Sequence, residues 1–259
     1  MRRGSLVLVL CLALGVIPVE SVSQNIFQKG LNTIRGLFKS EQVEQQVETD
    51  TVAVVAEPVV KSLKSQKDTV PATRNNTAYT LEQLYEMSLD ENLSIPELGS
   101  QKDAIKEYQL TVAKKMIVAG YTVETMRSGE VVIITIPSDE LFLPNEVELS
   151  PRAAKALKPC LQFLNTTDFY RVLLVMHSDN TGTTKYTDRL TESRVLAVLD
   201  WFQMNAGTSD YVIPYAMGAS EPLLPNNSID NRAANRRLEI YLVPGLEMIK
   251  LSKKGMLNR

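Results

Sequence analysis

The 259 residues predict an α/β sandwich, in which helices pack on a mixed β-sheet. Segments with strand and helix patterns alternate between residues 121 and 244, and the continuous apolar run over 170–176 is typical of a buried strand. The content of 44% hydrophobic residues supports a packed core, and no internal repeat is visible. The length slightly exceeds that of one ordinary domain, which indicates a single domain with accessory segments.

The composition excludes several classes of function. With 28 basic and 30 acidic residues, the net charge is −2, so no basic field is available to hold nucleic acid. Two cysteines and one histidine are too few for a dedicated zinc site. A Ser-His-Asp or Cys-His enzyme would depend on His177, and no nucleophile with an orienting acid accompanies it. We therefore expect no nucleic-acid partner, no catalytic residue, no metal and no cofactor.

Residues 1–23 have the pattern of a secretory signal peptide. Two arginines precede an uncharged apolar run over residues 4–19, and small residues at positions 21 and 23 provide a cleavage site before Gln24. The run has 16 residues, fewer than the roughly 20 that span a bilayer as a helix. Cleavage is the favoured prediction, and a retained membrane anchor is the alternative.

Two further segments precede the domain. Within residues 24–40, apolar residues recur at spacings of three and four, which predicts an amphipathic helix. This helix would dock on a membrane surface or an envelope partner, or pack on its own domain. Residues 41–79 are rich in polar residues and contain no aromatic residue before Tyr79, so they are predicted to form a disordered linker.

Periodicity and cap signals predict the elements of the remaining chain. Residues 80–120 are expected to be a helical lead-in, with a capping box at Thr80 and Gln83 and a second helix that Gly120 ends. Ser128-Gly129 indicates a two-residue hairpin turn. The domain spans residues 121–244, and 245–259 are a C-terminal tail. The predicted strands are Tyr121–Met126, Glu130–Pro137, Tyr170–Met176, Val212–Met217 and Arg237–Val243, and the predicted helices are Leu81–Met87, Gln101–Ala119, Ser150–Leu164, Thr187–Met204 and Asp230–Asn235.

Polar groups gather directly after the strand over 170–176. Asp179 lies in the turn that follows this strand, and Arg194 lies two turns into the next helix. If that helix returns beside the strand, both side chains reach one pocket, which would suit a zwitterionic ligand with its ammonium group on Asp179 and its carboxylate on Arg194. The alternative is a structural salt bridge between Asp179 and Arg194, which the spacing alone favours.

Six blocks of residues follow one another in a characteristic order between residues 131 and 243. They are Leu141-Phe142, Leu149-Ser150-Pro151, Met176-His177-Ser178-Asp179, Tyr186-Thr187 with Leu190-Thr191 and Arg194, Gly218 with Pro222 and Asn226, and Arg232 with Asn235-Arg236-Arg237-Leu238-Glu239. Together they resemble the OmpA-like peptidoglycan-binding domain, which occurs in outer-membrane protein A, peptidoglycan-associated lipoprotein and flagellar stator proteins.

The resemblance implies a βαβαβ-type domain that binds the diaminopimelate of peptidoglycan stem peptides. In the family, the acid of a His-Thr-Asp turn and an arginine of the long helix make the main contacts. These positions match Asp179 and Arg194 and reverse the preference for a structural pair. Asn145, Thr187 and Arg237 are similar to secondary ligand contacts of the family.

The resemblance implies a non-enzymatic protein of the periplasm or outer membrane that is anchored non-covalently to the wall, with residues 24–79 available to an envelope partner. Three positions depart from the family pattern: Met176 and Asn231 replace glycine, and Thr187 replaces asparagine. These departures support the alternative of an envelope scaffold or adaptor that has lost wall binding and acts through its N-terminal arm. A wall hydrolase is the third hypothesis.

Overall fold

Five strands form one mixed sheet in the computed structural model, which describes residues 79–207 and 209–257. The strands are β1 (Thr122–Met126), β2 (Val131–Pro137), β3 (Tyr170–His177), β4 (Val212–Gly218) and β5 (Arg237–Pro244). Their order is β1-β2-β5-β3-β4, with β3 and β4 parallel and the other neighbours antiparallel. The predicted fold class is confirmed. The predicted signal peptide, amphipathic segment and linker up to residue 78 lie outside the described residues.

Eight α-helices are formed by the described residues. They are α1 (Leu81–Glu86), α2 (Leu89–Ser94), α3 (Lys102–Val118), α4 (Ser138–Leu141), α5 (Ala153–Leu157), α6 (Thr184–Asn205), α7 (Ile229–Asn235) and α8 (Leu246–Lys253). Short 3-10 turns lie at Gly99–Gln101, Arg127–Gly129 and Lys158–Leu164. The capping box at Thr80 and Gln83 is present.

The connection between β1 and β2 differs from the predicted two-residue hairpin turn. Met126 pairs with Val131, so four residues form the loop, and three of them have positive φ angles. The Arg127 guanidinium donates hydrogen bonds to the carbonyl oxygens of Leu93 and Pro96 and forms an ion pair with Glu130. These side-chain contacts stabilise the longer loop, and sequence spacing does not reveal them.

The helix predicted from Ser150 to Leu164 is shorter than expected. Helix α5 begins at Ala153 and ends at Leu157, and the chain continues as a 3-10 helix. Pro159 has no amide hydrogen to donate within an α-helix, which accounts for the change. Helix α6 instead begins three residues before the predicted Thr187, because the Thr183 hydroxyl accepts a hydrogen bond from the Tyr186 amide.

The lead-in helices α1, α2 and α3 pack on the sheet. The Gln109 amide donates hydrogen bonds to the carbonyl oxygens of Glu130 and Leu242, at 2.9 and 3.0 Å. The Tyr85 hydroxyl donates to the Val212 carbonyl oxygen at 2.8 Å, where β4 begins. The Arg171 guanidinium, near the start of β3, donates to the carbonyl oxygens at the end of α2. Lead-in and domain therefore share one set of buried hydrogen bonds.

Residues predicted to be a C-terminal tail include helix α8. Met248 and Ile249 of this helix are buried, and the Ser252 hydroxyl donates a hydrogen bond to Gln101 at 2.9 Å. Helix α8 thus adds an apolar face to the same core.

One edge of the sheet brings together the segments that carry or adjoin predicted site residues. His177, at the end of β3, pairs with Gly218 at the end of β4 and with Arg237 at the start of β5, and Pro137 at the end of β2 pairs with Arg237. We call this the site edge. All eight residues of β3 are buried, so the backbone that supports the site edge is held from both faces.

Candidate functional site

An arginine joins two carboxylates at the site edge. Arg236 lies between α7 and β5, and its Nη1 donates to Asp179 Oδ2 at 2.8 Å, while Nη2 donates to Asp139 Oδ2 at 3.1 Å. The side chain of Asp179 is 7% exposed and that of Asp139 is 69% exposed. Arg236 therefore bridges an inner and an outer acid, and both contacts raise the pKa of its guanidinium against the opposing effect of burial.

Asp179 is held ionised by its hydrogen bonds. Its Oδ1 accepts from the Thr181 amide at 2.8 Å, as in the turns that aspartate favours. Burial alone would raise the pKa of Asp179, but the hydrogen bonds from Arg236 and Thr181 outweigh burial and lower the pKa below its ordinary value. A carboxylate has about four lone-pair positions, so Asp179 retains acceptor capacity for a ligand.

Arg194 does not pair with Asp179, so the predicted structural salt bridge is absent. Its Nε donates to the Glu146 carbonyl oxygen at 2.9 Å, Nη2 donates to that of Leu143 at 3.3 Å, and Nη1 donates to the Ser138 hydroxyl at 3.1 Å. The guanidinium carbon also lies 4.7 Å from the centre of the Phe142 ring. These contacts fix the plane of the guanidinium without neutralising its charge.

The Arg194 cation forms no ion pair within the described ranges. Only 6% of the residue is exposed, and burial lowers the pKa of its guanidinium, with partial compensation from Tyr186 and Asp139. Three of its five N–H donors are used by protein oxygens, which leaves one on each terminal nitrogen. This geometry suits a carboxylate bound through two hydrogen bonds.

Helix α4 connects the surroundings of Arg194 with those of Asp179. Ser138, which accepts from Arg194, is followed directly by Asp139, which shares Arg236 with Asp179. The site therefore contains two acids and two arginines in an alternating arrangement, although the two predicted residues are not in direct contact.

The three secondary candidates have different surroundings. Asn145 has a positive φ of 61° and its side-chain oxygen accepts from the Tyr186 hydroxyl at 3.1 Å, which places it beside α6. Thr187 is 1% exposed and donates to the Thr184 carbonyl oxygen of its own helix. Arg237 is buried, and its guanidinium contacts Glu239, which lies two residues further along β5 and therefore on the same face of the strand. Their roles as ligand contacts stay predictions.

A buried polar cluster supports the start of β5. Arg237 Nε donates to Glu239 Oε1 at 2.6 Å, and the Tyr241 hydroxyl donates to Glu239 Oε2 at 2.5 Å. His177, at 2% exposure, places Nε2 at 3.5 Å from Glu239 Oε2. Burial would raise the pKa of Glu239, but its contacts with His177, Tyr241 and Arg237 lower it to about 2. The histidine thus belongs to the support of the site edge.

Sequence reasoning did not select Asp139, Ser138 or Arg236 as site residues. Arg236 stood in the same block as Arg237, but it precedes the first residue of β5, so the strand pattern does not indicate where its side chain lies. Ser138 and Asp139 follow a predicted strand, but nothing in their spacing distinguishes them from an ordinary loop.

Within residues 79–207 and 209–257, no group of histidine, cysteine and acidic side chains is arranged to hold a metal ion. Nor does any helix of these ranges have the length and apolar character needed to cross a bilayer.

Residues 141–236 match the model of the OmpA family. This region belongs to the OmpA family. The family assignment made from the sequence is thereby confirmed, and the OmpA region contains Asp179, Arg194 and Arg236. Asp139 and the lead-in helices precede it.

Curated relatives resemble part of the chain. The probable lipoprotein YiaD of Escherichia coli K12 is 26% identical over 48% of this chain and 57% of its own length. Outer membrane protein A of Bordetella avium is 24% identical over 42% of this chain and 57% of its own length. The peptidoglycan-binding protein ArfA of Mycobacterium tuberculosis H37Rv is 29% identical over 39% of this chain and 29% of its own length. The chain thus spans little more than half the length of the first two relatives.

A solved structure shares the fold of the OmpA-like domain. The MotB-like protein of Desulfovibrio vulgaris aligns with a TM-score of 0.50 and 22% sequence identity, covering 57% of this chain and 95% of that protein. The likeness extends the shared fold beyond the family match.

Proposed function

We propose that the OmpA-like domain anchors the protein non-covalently to peptidoglycan, by binding the diaminopimelate of stem peptides at Asp179 and Arg194. The observation that carries the proposal is the buried Arg194 guanidinium, which has no counterion among the described residues and has one N–H left on each terminal nitrogen. A buried charge is costly without a partner, so this group favours an anionic ligand atom.

Diaminopimelate has the complementary chemistry. Each of its stereocentres carries a carboxylate and an ammonium group, which would bind Arg194 and Asp179 respectively. The negative charges of Asp139 and Asp179 equal the positive charges of Arg194 and Arg236 in number. Because a zwitterion has no net charge, its binding would not change this balance. Charge-assisted hydrogen bonds contribute roughly 1.5 to 3 kcal/mol each, so a few of them give weak binding at one site. Attachment to the wall can still be firm, because the wall is a polymer that repeats the ligand many times.

The relatives support the same proposal. The name of ArfA states that this protein binds peptidoglycan, and the names of other relatives describe a lipoprotein and an outer membrane protein. These names support a location in the periplasm or at the outer membrane, which we propose for this protein. We further propose that residues 24–79 contact an envelope partner.

Calorimetric titration of the full-length protein with free diaminopimelate tests the site. Asp179→Asn and Arg194→Gln should each weaken binding at least tenfold, because each removes one of the two opposite charges. Arg189→Gln is the matched control, since Arg189 is an exposed arginine of the same helix. The same variants should fail to co-sediment with purified sacculi. Wild-type affinity in folded Asp179→Asn and Arg194→Gln proteins would refute the assignment.

A scaffold or adaptor is the second candidate. It is favoured by the Arg236–Asp179 ion pair, which already neutralises the acid that would receive the ammonium group. In that case the wild-type protein would not bind sacculi, and deletion of residues 24–78 would remove its cellular function. Binding of the wild-type protein to sacculi with loss in the two site variants would exclude this candidate.

A further inference from the structure

A concave region lies against the same short helix that supports Arg194. It is a cavity of about 670 Å³ between the end of α3, strands β1 and β2, and helices α4 and α5. Its lining includes Tyr121, Asp139, Glu140, Arg152 and Lys155. Ligand sites of proteins commonly have volumes of about 300 to 1,000 Å³. The volume is therefore sufficient for a short peptide segment.

The cavity is connected to the candidate site through Asp139. This carboxylate lines the cavity and accepts from Arg236 Nη2, while Arg236 Nη1 donates to Asp179. One guanidinium group therefore separates the cavity wall from Asp179. Because an extended residue spans at most about 3.6 Å, a peptide bound at Asp179 reaches the cavity within a few residues.

Two cations of the cavity lining are available to an anion. Arg152 and Lys155 are exposed, lie three positions apart at the start of α5, and form no ion pair with another described residue. Residues at this spacing lie on one side of a helix. Asp139 is already paired with Arg236, which leaves Glu140 as the one unpaired acid of the described cavity lining. The lining thus contains two cations without an ion-pair partner, one acid without one, and Asp139, which shares Arg236 with Asp179.

The wall that carries these cations is held in place. The Tyr121 hydroxyl donates to the Ala156 carbonyl oxygen at 2.8 Å, which ties the end of α5 to the chain entering β1. Ala156 and Leu157 of the same helix are buried. Arg152 and Lys155 are therefore presented from a fixed backbone.

We propose that this cavity is a second subsite, which binds a carboxylate of the stem peptide beyond the diaminopimelate through Arg152 and Lys155. The proposal rests on the proposed function, since the peptide must first be placed at Asp179 and Arg194. It predicts that the protein distinguishes a stem peptide from the free diamino acid.

Full-length protein is titrated in parallel with free diaminopimelate and with the tripeptide L-Ala-γ-D-Glu-diaminopimelate, which carries an additional carboxylate. The wild-type protein should bind the tripeptide about tenfold more tightly than the free amino acid. Arg152→Ala/Lys155→Ala should remove this tenfold preference and leave the affinity for free diaminopimelate within about twofold of wild type. Glu140→Gln should strengthen tripeptide binding, because it removes the opposing charge.

Lys114→Ala/Lys253→Ala is the matched control, since it removes two exposed positive charges outside the cavity and should not alter either affinity. Equal affinities of the wild-type protein for the two ligands would overturn the subsite. It would also be overturned if the Arg152→Ala/Lys155→Ala variant kept the preference for the tripeptide, or if this variant lost affinity for both ligands to the same extent. Absence of diaminopimelate binding to the wild-type protein would instead refute the proposed function itself, so the two failures are distinguishable.

Discussion

Replacement of Glu239 by glutamine tests the buried cluster beneath the site edge. Glu239 accepts from Arg237 and Tyr241 at 2.6 and 2.5 Å, and its side chain is 10% exposed. The cluster lowers the pKa of this carboxyl from 4.5 to about 2. A glutamine of the same shape keeps acceptor capacity but cannot carry the negative charge.

The size and sign of the effect follow from this pKa. At about 1.36 kcal/mol per pKa unit, the change corresponds to about 3 kcal/mol, or about 2 kcal/mol after a reduction for solvent screening. Because the pKa of Glu239 is lower in the folded state than in the unfolded state, the ionised carboxylate stabilises the fold above about pH 4.5. This stabilisation is lost as the pH falls towards 2.

Urea denaturation followed by circular dichroism at pH 7 and pH 2.5 measures the effect. The difference in unfolding free energy between wild type and Glu239→Gln should be about 1.5 kcal/mol larger at pH 7 than at pH 2.5, because about a quarter of the stabilisation remains at pH 2.5. Glu124→Gln, a replacement of an exposed glutamate in β1, should show no such pH dependence. If wild type and Glu239→Gln differ in unfolding free energy by the same amount at both pH values, the cluster does not hold Glu239 ionised.

Three further substitutions test packing, each by urea denaturation of the full-length protein. Leu173→Ala should cost about 2 to 5 kcal/mol, since Leu173 is 0% exposed in β3, which lies between β5 and β4; a cost below about 1 kcal/mol would contradict its place in the core. Thr183→Ala should cost about 1 kcal/mol through loss of the cap of α6, and Thr183→Asn should restore most of it. Gly245→Ala should cost more than about 2 kcal/mol, because the added methyl group would overlap the Asp168 carbonyl oxygen; unchanged stability would refute this close approach.

Strong periodic patterns were sufficient to predict most elements of the domain. The apolar run that forms β3 and the amphipathic pattern of α3 leave few alternatives, and their observed bounds differ from the predicted ones by at most one residue at each end. The predicted element boundaries were wrong where a single residue changes the local backbone conformation. Pro159 ends regular α-helical bonding after α5, and the side chain of Arg127 stabilises a four-residue loop in place of a tight turn.

The candidate site was predictable only in part. Motif spacing selected Asp179 and Arg194 as candidates, and in the structure Asp179 follows the end of β3 while Arg194 contacts Ser138, directly after the end of β2. Spacing could not reveal that Arg236, and not Arg194, pairs with Asp179, because this contact joins residues 57 positions apart. Likewise, Arg237 resembles a ligand contact in the sequence, whereas strand alternation turns it towards Glu239.

The lead-in helices are fastened at the end of the sheet opposite the site edge, where β3 and β4 begin. A tensile load between a ligand at Asp179 and the chain entering at residue 79 would therefore run along these strands. Hydrogen bonds between strands lie across this direction, so they would be sheared together and not opened one after another. The eight residues of β3 span about 26 Å at roughly 3.3 Å per residue, which gives the domain the geometry of a tether that resists pulling along its axis.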